Sequence, residues 1–402
     1  MNPAKRLGCR AFQLALRLSV PLLPYRRPEL ADGVGALPAI LKRHGCASVL
    51  LVTGPNVTRR GLTRPLLDAL AAAGIGCAVY DKTPPNPTVP AVEEGAALYR
   101  ARGCQAIIGF GGGSNLDCAK AVGVRIALPD RPLSKCAGIL GVRRPIPLLI
   151  AVPTTAGSGS ETTIAAVITD PDTHHKYAIS DFPLIPRYAV LDPAATVSLP
   201  PALTASTGMD ALTHAVEAYI GRSTTRDTRE ASRTAVRLIF ANLDAAFADG
   251  SDLEARRNLL EASFLAGCAF TKSYVGYVHA IAHALGGAYN VPHGYANAVI
   301  LPMVLEAYGP AVHRQLSELA QAAGLAGADT PAPQAAAAFI QAVRAMNTRF
   351  GIGTAIPELR RADIPALARR ADKEANPLYP VPVLLDADGL APLFERLLAP
   401  GA

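Results

Sequence analysis

Between Gln105 and Gly123 the chain reads QAIIGFGGGSNLDCAKAVG, an apolar run that passes through Gly109, Gly111, Gly112, Gly113 and Ser114 directly into a helical pattern. A strand that turns through glycines into a helix is the building block of α/β folds. Glycines let a ligand approach the backbone closely, and the first turn of a helix offers unpaired N–H groups, which together suit a pyrophosphate. The run is neither G-x-G-x-x-G nor a P-loop, since no G-K-[ST] follows. A purely structural turn is the competing reading. The strand before and the helix after favour anion binding. Asp117 is placed either to accept N–H bonds in the first turn or to contact a cofactor, and Lys120 either to neutralise phosphate or to face solvent.

The same alternation runs through the first half of the chain. After Pro28 a helical segment leads to the apolar run Ser48 to Thr53, a Gly54-Pro55-Asn56 turn and the helix TRPLLDALAAAG, and the next strand, CAVYD, ends in Asp81. A carboxylate past the second strand can meet the adenosine ribose hydroxyls, and its charge opposes the extra phosphate of NADP, so Asp81 favours NAD. In RPIPLLIAVPTTAGSGSETTIAAVITD two apolar strands flank a turn rich in hydroxyls, where Thr154, Thr155, Ser158 and Ser160 can donate to phosphate or ribose. Lys176 is placed to meet a cofactor oxygen, whereas the adjacent His174 and His175 read as surface residues. The proline-rich passage DPAATVSLPPAL reads as a domain junction. Beyond Pro201 the pattern becomes nearly continuous helix, including segments at Ser206 to Gly221 and His279 to Gly286. Three segments are expected: 1–28, an α/β nucleotide-binding domain at 29–198, and an all-helical metal-binding domain at 199–402.

The helical half carries a second constellation. In STGMDALTHAVEAY, Asp210 and His214 stand four residues apart, and in VHAIAHALGGAYNVPHGYAN so do His279 and His283, followed by His293. That spacing puts each pair on one side of a helix. The H-x-x-x-H resembles a metalloprotease helix, but Ala280 stands where such an enzyme needs its glutamate, so peptide hydrolysis is a poor reading. One Asp and three His suit Fe(II) or Zn(II), and the ligand types do not separate the two. Asp210, His214, His279 and His293 are the expected ligands, with His283 beside them as a supporting group or proton carrier.

Composition removes other classes. Lys and Arg exceed Asp and Glu only by 39 to 32, without blocks of like charge, and Trp is absent, so nucleic acid is not expected as a partner. Seven scattered cysteines without a C-x-x-C fit reduced thiols in the cytoplasm. No apolar run is long enough for a transmembrane segment. The basic start, MNPAKRLGCRAFQLALRLSVPLLP, supports a secretory signal only weakly. Leu7, Ala11, Leu14 and Leu18 there form one helical stripe and Arg6, Arg10, Gln13 and Arg17 another. Membrane-surface attachment is one reading of this segment, and packing on the chain's own fold or on a partner subunit is the expected one.

Four separated signatures, GGGSNLDCAK, PTTAGSGSE, GMDALTHAVEAY and HAIAHALGGAYNVPHGYANAVILP, resemble the iron-containing, group III alcohol dehydrogenases from about Glu29 onward. The resemblance implies a dehydroquinate synthase-like architecture, a homodimer or larger assembly, and hydride transfer between NAD(H) and a small alcohol or aldehyde. It implies a metal on Asp210, His214, His279 and His293, and cofactor contacts from Asp81, Gly112, Gly113, Ser114, Asp117, Thr154, Thr155, Ser158 and Lys176. It also puts His283 near the substrate as a catalytic candidate. Ser158 stands where many relatives have Thr. The alternatives are a hydroxyacid-oxoacid transhydrogenase and a metal enzyme of the glycerol dehydrogenase and dehydroquinate synthase type.

Overall fold

The apolar runs of the first half form a six-stranded parallel sheet in a computed structural model that describes residues 1–171 and 175–399, the His175 side chain excepted. The surface reading of His174 and His175 therefore falls outside the described residues. The strands are β1 (Glu29–Ala31), β2 (Ser48–Val52), β3 (Gly76–Tyr80), β4 (Ala106–Gly111), β6 (Leu148–Pro153) and β9 (Tyr188–Val190), in the spatial order β1-β9-β6-β4-β2-β3. In register, Leu51 faces Ile108 and Ile108 faces Ile150.

Side-chain alternation divides each central strand between two cores. Leu50, Val52, Ile107 and Leu149 pack with Ala119 and Val122 of the helix Gly113–Ala127. Val49, Leu51, Ile108 and Ile150 pack on the other face with Leu37, Leu41, Leu66 and Leu70 from the helices Leu37–Arg43 and Arg64–Ala72. Coverage on both faces explains why β4, AIIGFG, is apolar throughout. A second sheet joins β5 (Gly138–Ile139), β8 (His175–Ser180) and β7 (Ala165–Asp170), with β7 and β8 antiparallel. The stretch that carries Lys176 is thus a strand, in which Tyr177 and Ile179 are buried while Lys176 and Ala178 face out.

The chain divides into two compact units: Pro24–Leu199 with Gly250–Leu260, and Met1–Leu23 with Pro200–Asp249 and Glu261–Ala402. The first holds the parallel sheet. The second is helical, as the loss of strand patterning after Pro201 predicts. There the helix Pro201–Ile220 packs on Arg226–Ala248 and on His293–Tyr308, and Tyr277–Tyr289 packs on His293–Tyr308 and on Ile364–Ala375. The sequence places His293 ahead of a helix starting at Ala296; instead the helix begins at His293, after Pro292. The N-terminal segment is a helix, Pro3–Ser19, and belongs to the helical unit. Among the described residues no helix is long and apolar enough to cross a membrane.

Candidate metal centre and nucleotide site

Three helices of one unit supply the metal-competent groups. Asp210 and His214 lie one turn apart on Pro201–Ile220, His279 on Tyr277–Tyr289, and His293 opens His293–Tyr308. One ligand atom from each of these four residues lies within 4.8 Å of all the others. Asp210 Oδ1 is 3.9 Å from His214 Nδ1, 3.9 Å from His279 Nε2 and 3.5 Å from His293 Nε2. Ligands about 2.1 Å from a common tetrahedral ion stand about 3.4 Å apart, so these separations are close to those a bound divalent ion sets. Close approach of the third helix depends on Gly294, where a Cβ would run into Ser206 O and lie 3.4 Å from Asp210 Cβ.

The hydrogen bonds inside the cluster test the fit. Asn297 Nδ2 donates to Asp210 Oδ1 at 2.7 Å and lies 3.1 Å from His293 Nε2 and 3.2 Å from His279 Nε2. An amide nitrogen carries two protons and here faces three acceptors. The Asn297 Oδ1, buried, has no hydrogen-bond partner. Among the described residues every ion pair of Asp210 is with a histidine, none with Lys or Arg. A surplus of lone pairs around a buried carboxylate, with no fixed cation to balance them, fits a divalent metal.

The surrounding groups set each ring's protonation and orientation. Burial, together with His214, His293 and His283, holds the His279 pKa well below the ordinary histidine value, so the ring is neutral at pH 7. Its Nδ1 lies 2.7 Å from Glu217 Oε2. A carboxylate at Nδ1 selects the tautomer whose Nε2 lone pair faces Asp210. Glu217 also accepts from Gly276 N and Val278 N, each at 2.8 Å. Burial pushes Glu217 up to about 7 against those N–H bonds. The His214 ring stacks on Phe270, centroids 4.1 Å apart. His283 stands outside the cluster of ligand atoms: its ring stacks on His293 at 5.1 Å, and its Nδ1 meets Glu374 Oε1 at 2.6 Å. Glu374 in turn accepts from Tyr379 Oη at 2.8 Å.

Glu217 and Asn297 were not picked out from sequence, although a signal was present. Glu217 continues the Asp210–His214 stripe three residues on, and Asn297 follows His293 by one turn. Glu374 lies 91 residues beyond His283 and carried none.

The cofactor candidates lie in the other unit. Its strand order reverses between β2 and β4, the switch point where ligands of open parallel sheets bind at the carboxyl ends of the strands. β4 ends there in Gly111, whose φ of +147° no side chain favours, and whose Cβ would collide with Asn115. Gly112 caps the following helix. The turn after β6 lies against it: a Cβ on Gly112 would sit 3.6 Å from Thr155 Oγ1, and one on Gly113 3.0 Å from Ser158 Oγ. Thr154 N donates to Gly111 O at 3.0 Å. Ser114 Oγ donates to Pro85 O, and Lys176 Nζ to the neighbouring Asn86 at 3.0 Å, so both stand at the Pro85–Asn86 turn. Asp81 follows β3, and among the described residues no hydrogen bond joins it to these groups.

Asp117 and Lys120 both bond to the scaffold. Asp117 accepts from Ser160 Oγ at 2.7 Å and Val167 N at 3.0 Å. Lys120 was expected at phosphate or in solvent, but it is fully buried and donates to Thr163 Oγ1 at 2.7 Å, Ala165 O at 2.9 Å and Thr163 O at 3.0 Å. Burial lowers its pKa to about 8, against the Asp117 and Glu161 carboxylates that raise it.

A glycine turn at the switch point of a parallel sheet, and an Asp–His cluster in a helical unit, define the class: metal-dependent dehydrogenases built on a nucleotide-binding sheet. Comparison with known proteins narrows it. The family model for the iron-containing alcohol dehydrogenases matches residues 31–193, and that for the C-terminal part of the Fe-containing alcohol dehydrogenase family matches 204–398. The chain is 39% identical over 361 residues to 1,3-propanediol dehydrogenase of Klebsiella pneumoniae, covering 89% of this chain and 92% of that protein. It is 36% identical over 351 residues to the NAD-dependent methanol dehydrogenase of Bacillus methanolicus, covering 86% and 91%. The crystal structure of a 1,3-propanediol oxidoreductase superposes with a TM-score of 0.88 at 36% identity, over 93% of this chain and 98% of that one. The chain belongs to the iron-containing alcohol dehydrogenase family and is an oxidoreductase acting on alcohols.

Replacing Glu217 with Gln keeps the shape and removes the carboxylate behind His279. Metal affinity, measured by competition with a chromophoric chelator, is expected to fall about 10- to 100-fold. An unchanged affinity would show that Glu217 does not orient the ligand.

Proposed function

We propose that the chain interconverts small primary or secondary alcohols with their aldehydes or ketones, using NAD(H) and an Fe(II) or Zn(II) ion held by Asp210, His214, His279 and His293. The observation that carries this is the convergence of those four ligand atoms within 4.8 Å in a chain of this family. When bound, the metal supplies Lewis acidity to the substrate oxygen, and the nicotinamide supplies the hydride acceptor. The protein's own groups do the rest. Glu217 fixes the His279 ring, and Phe270 supports His214. The residues around the histidines, mostly Ala, Gly, Tyr and Leu, include no Lys or Arg between His279 and His293, which suits a small uncharged substrate.

His283 is the proposed proton carrier. Burial alone would depress its pKa, but the Glu374 carboxylate and its hydrogen bond outweigh that and raise it. A proton taken up on this ring is thus stabilised by Glu374, itself held by Tyr379. In the nucleotide unit, Gly112, Gly113 and Ser114 are assigned to the pyrophosphate, and Thr154, Thr155, Ser158 and Lys176 to phosphate and ribose oxygens. Asp117 supports that turn through Ser160, and Asp81 selects against a 2′-phosphate. The relative named as NAD-dependent supports the same cofactor choice. Seven free thiols are consistent with a cytoplasmic enzyme. A homodimer or larger homo-oligomer is the proposed assembly, which light scattering after size exclusion would read directly.

Protein stripped of metal and reloaded with Fe(II) or Zn(II) is expected to turn over small alcohols with NAD+, and aldehydes with NADH, while the stripped form does not. Loaded protein inactive across such a screen would refute the proposal. Asp81→Gly is expected to raise the NADP-to-NAD ratio of kcat/KM, and an unchanged ratio would remove Asp81 from the specificity role. His283→Ala should keep its metal and lose about 100-fold in kcat, with partial rescue by added imidazole. Full activity in that variant would assign His283 a bystander's place.

A further inference from the structure

The N-terminal helix Pro3–Ser19 sits on its unit the opposite way round from an ordinary amphipathic helix. At 100° per residue, Cys9 and Gln13 fall on one side, and Leu7, Ala11, Leu14 and Leu18 on the other. The side turned to the protein is held there by polar bonds. Arg10 donates to Val381 O at 2.7 Å and Pro382 O at 2.8 Å, Gln13 donates to Tyr379 O at 2.7 Å, and Lys5 pairs with Asp372 at 2.8 Å. Leu7, Leu14 and Leu18 point away from it, while Leu16, near Cys9, is half-buried. Leu7 is 73% exposed, Leu14 56%, Leu18 67%, and Leu22 in the following turn 85%. A helix that needed only to pack on its own fold would bury that face. The helix also lies outside both matched family segments, which begin at residues 31 and 204.

Charge decides what covers the face. Residues 1–28 contain six basic side chains, Lys5, Arg6, Arg10, Arg17, Arg26 and Arg27, and no acidic one. Arg6, Arg10 and Arg17 share one flank of the leucine stripe. A second copy docked antiparallel would set that flank against itself, and in the parallel sense it would still meet no carboxylate from this segment. The stripe is about 25 Å long and about 10 Å wide, and a stable protein interface buries about 1,200 Å² or more in total. It is small for self-association. Leucines flanked by Arg6 and Arg17 instead match an anionic bilayer, whose headgroups meet these two arginines while the leucines enter the acyl boundary and Arg10 stays bonded to Val381 O and Pro382 O.

We propose that the exposed face of Pro3–Ser19, extended by Leu22, docks this enzyme peripherally on the surface of an anionic phospholipid bilayer. The helix lies in the interface plane and does not span it. Its polar contacts to the 377–382 segment stay made while it does so, so docking requires no unfolding.

The test is flotation of the full-length, metal-loaded protein with vesicles. Phosphatidylcholine vesicles containing about one third phosphatidylglycerol are expected to bind at least about tenfold more protein than pure phosphatidylcholine, and high salt should reverse most of the difference. A Leu7→Ser, Leu14→Ser, Leu18→Ser variant should lose that binding while keeping alcohol turnover and oligomeric mass. Arg6→Glu with Arg17→Glu should lose it as well, and serves as an independent check that leaves the leucines in place. No binding to anionic vesicles, or equal binding by the variants, would overturn the proposal. So would a drop in oligomeric mass in the leucine variant, which would identify the face as a contact between copies. Vesicle binding and turnover are separate readings, so failure of one leaves the other standing.

Discussion

A carboxylate buried in a helical unit, with no lysine or arginine paired to it among the described residues, is the constraint on which the rest of the centre depends. Asp210 is nearly inaccessible, and its neighbours are three imidazoles and one amide. Removing such a charge from water is costly unless something of opposite sign takes its place. Neutral imidazoles cannot supply that charge, and burial holds His279 in its neutral form. A divalent cation supplies it and uses the same lone pairs, which is why four helix positions have to converge. Gly294 and the Glu217 bonds follow as conditions for that convergence.

The nucleotide unit solves a different electrostatic problem with different means. There the fixed groups are backbone N–H donors at the start of Gly113–Ala127 and hydroxyls from the turn after β6, with Asp117 and Lys120 bonded to the scaffold beneath them. Lys120 holds the start of β7 through the Ala165 carbonyl and the Thr163 backbone before it, and Asp117 ties the same strand to the hydroxyl turn. Apart from Lys176 and Asp81, the groups proposed to face the ligand are neutral donors, which suits a pyrophosphate that brings its own charge.

Much of this was legible in the residues themselves. Continuous apolar runs ending in glycine specified the parallel sheet, and four-residue spacings placed Asp210 with His214 and His279 with His283. What escaped was whatever depends on partners far along the chain. Lys120 lies one turn from Asp117, and only the position of β7 turns it inward. The strand His175–Ser180 depends on pairing with Ala165–Asp170. Glu374 reaches His283 through the packing of two helices, which no local pattern encodes. The N-terminal helix shows the same limit. Its period was plain, but which side it turns to the protein is set by carbonyls at Tyr379, Val381 and Pro382.

The central claim is that one ion sits among Asp210, His214, His279 and His293. Anomalous diffraction at the iron edge from crystals of Fe(II)-loaded protein tests it most directly. The account predicts one strong peak about 2.0–2.3 Å from an oxygen of Asp210 and a nitrogen of each histidine. A peak bound elsewhere, or one that leaves two of these residues uncoordinated, would contradict it.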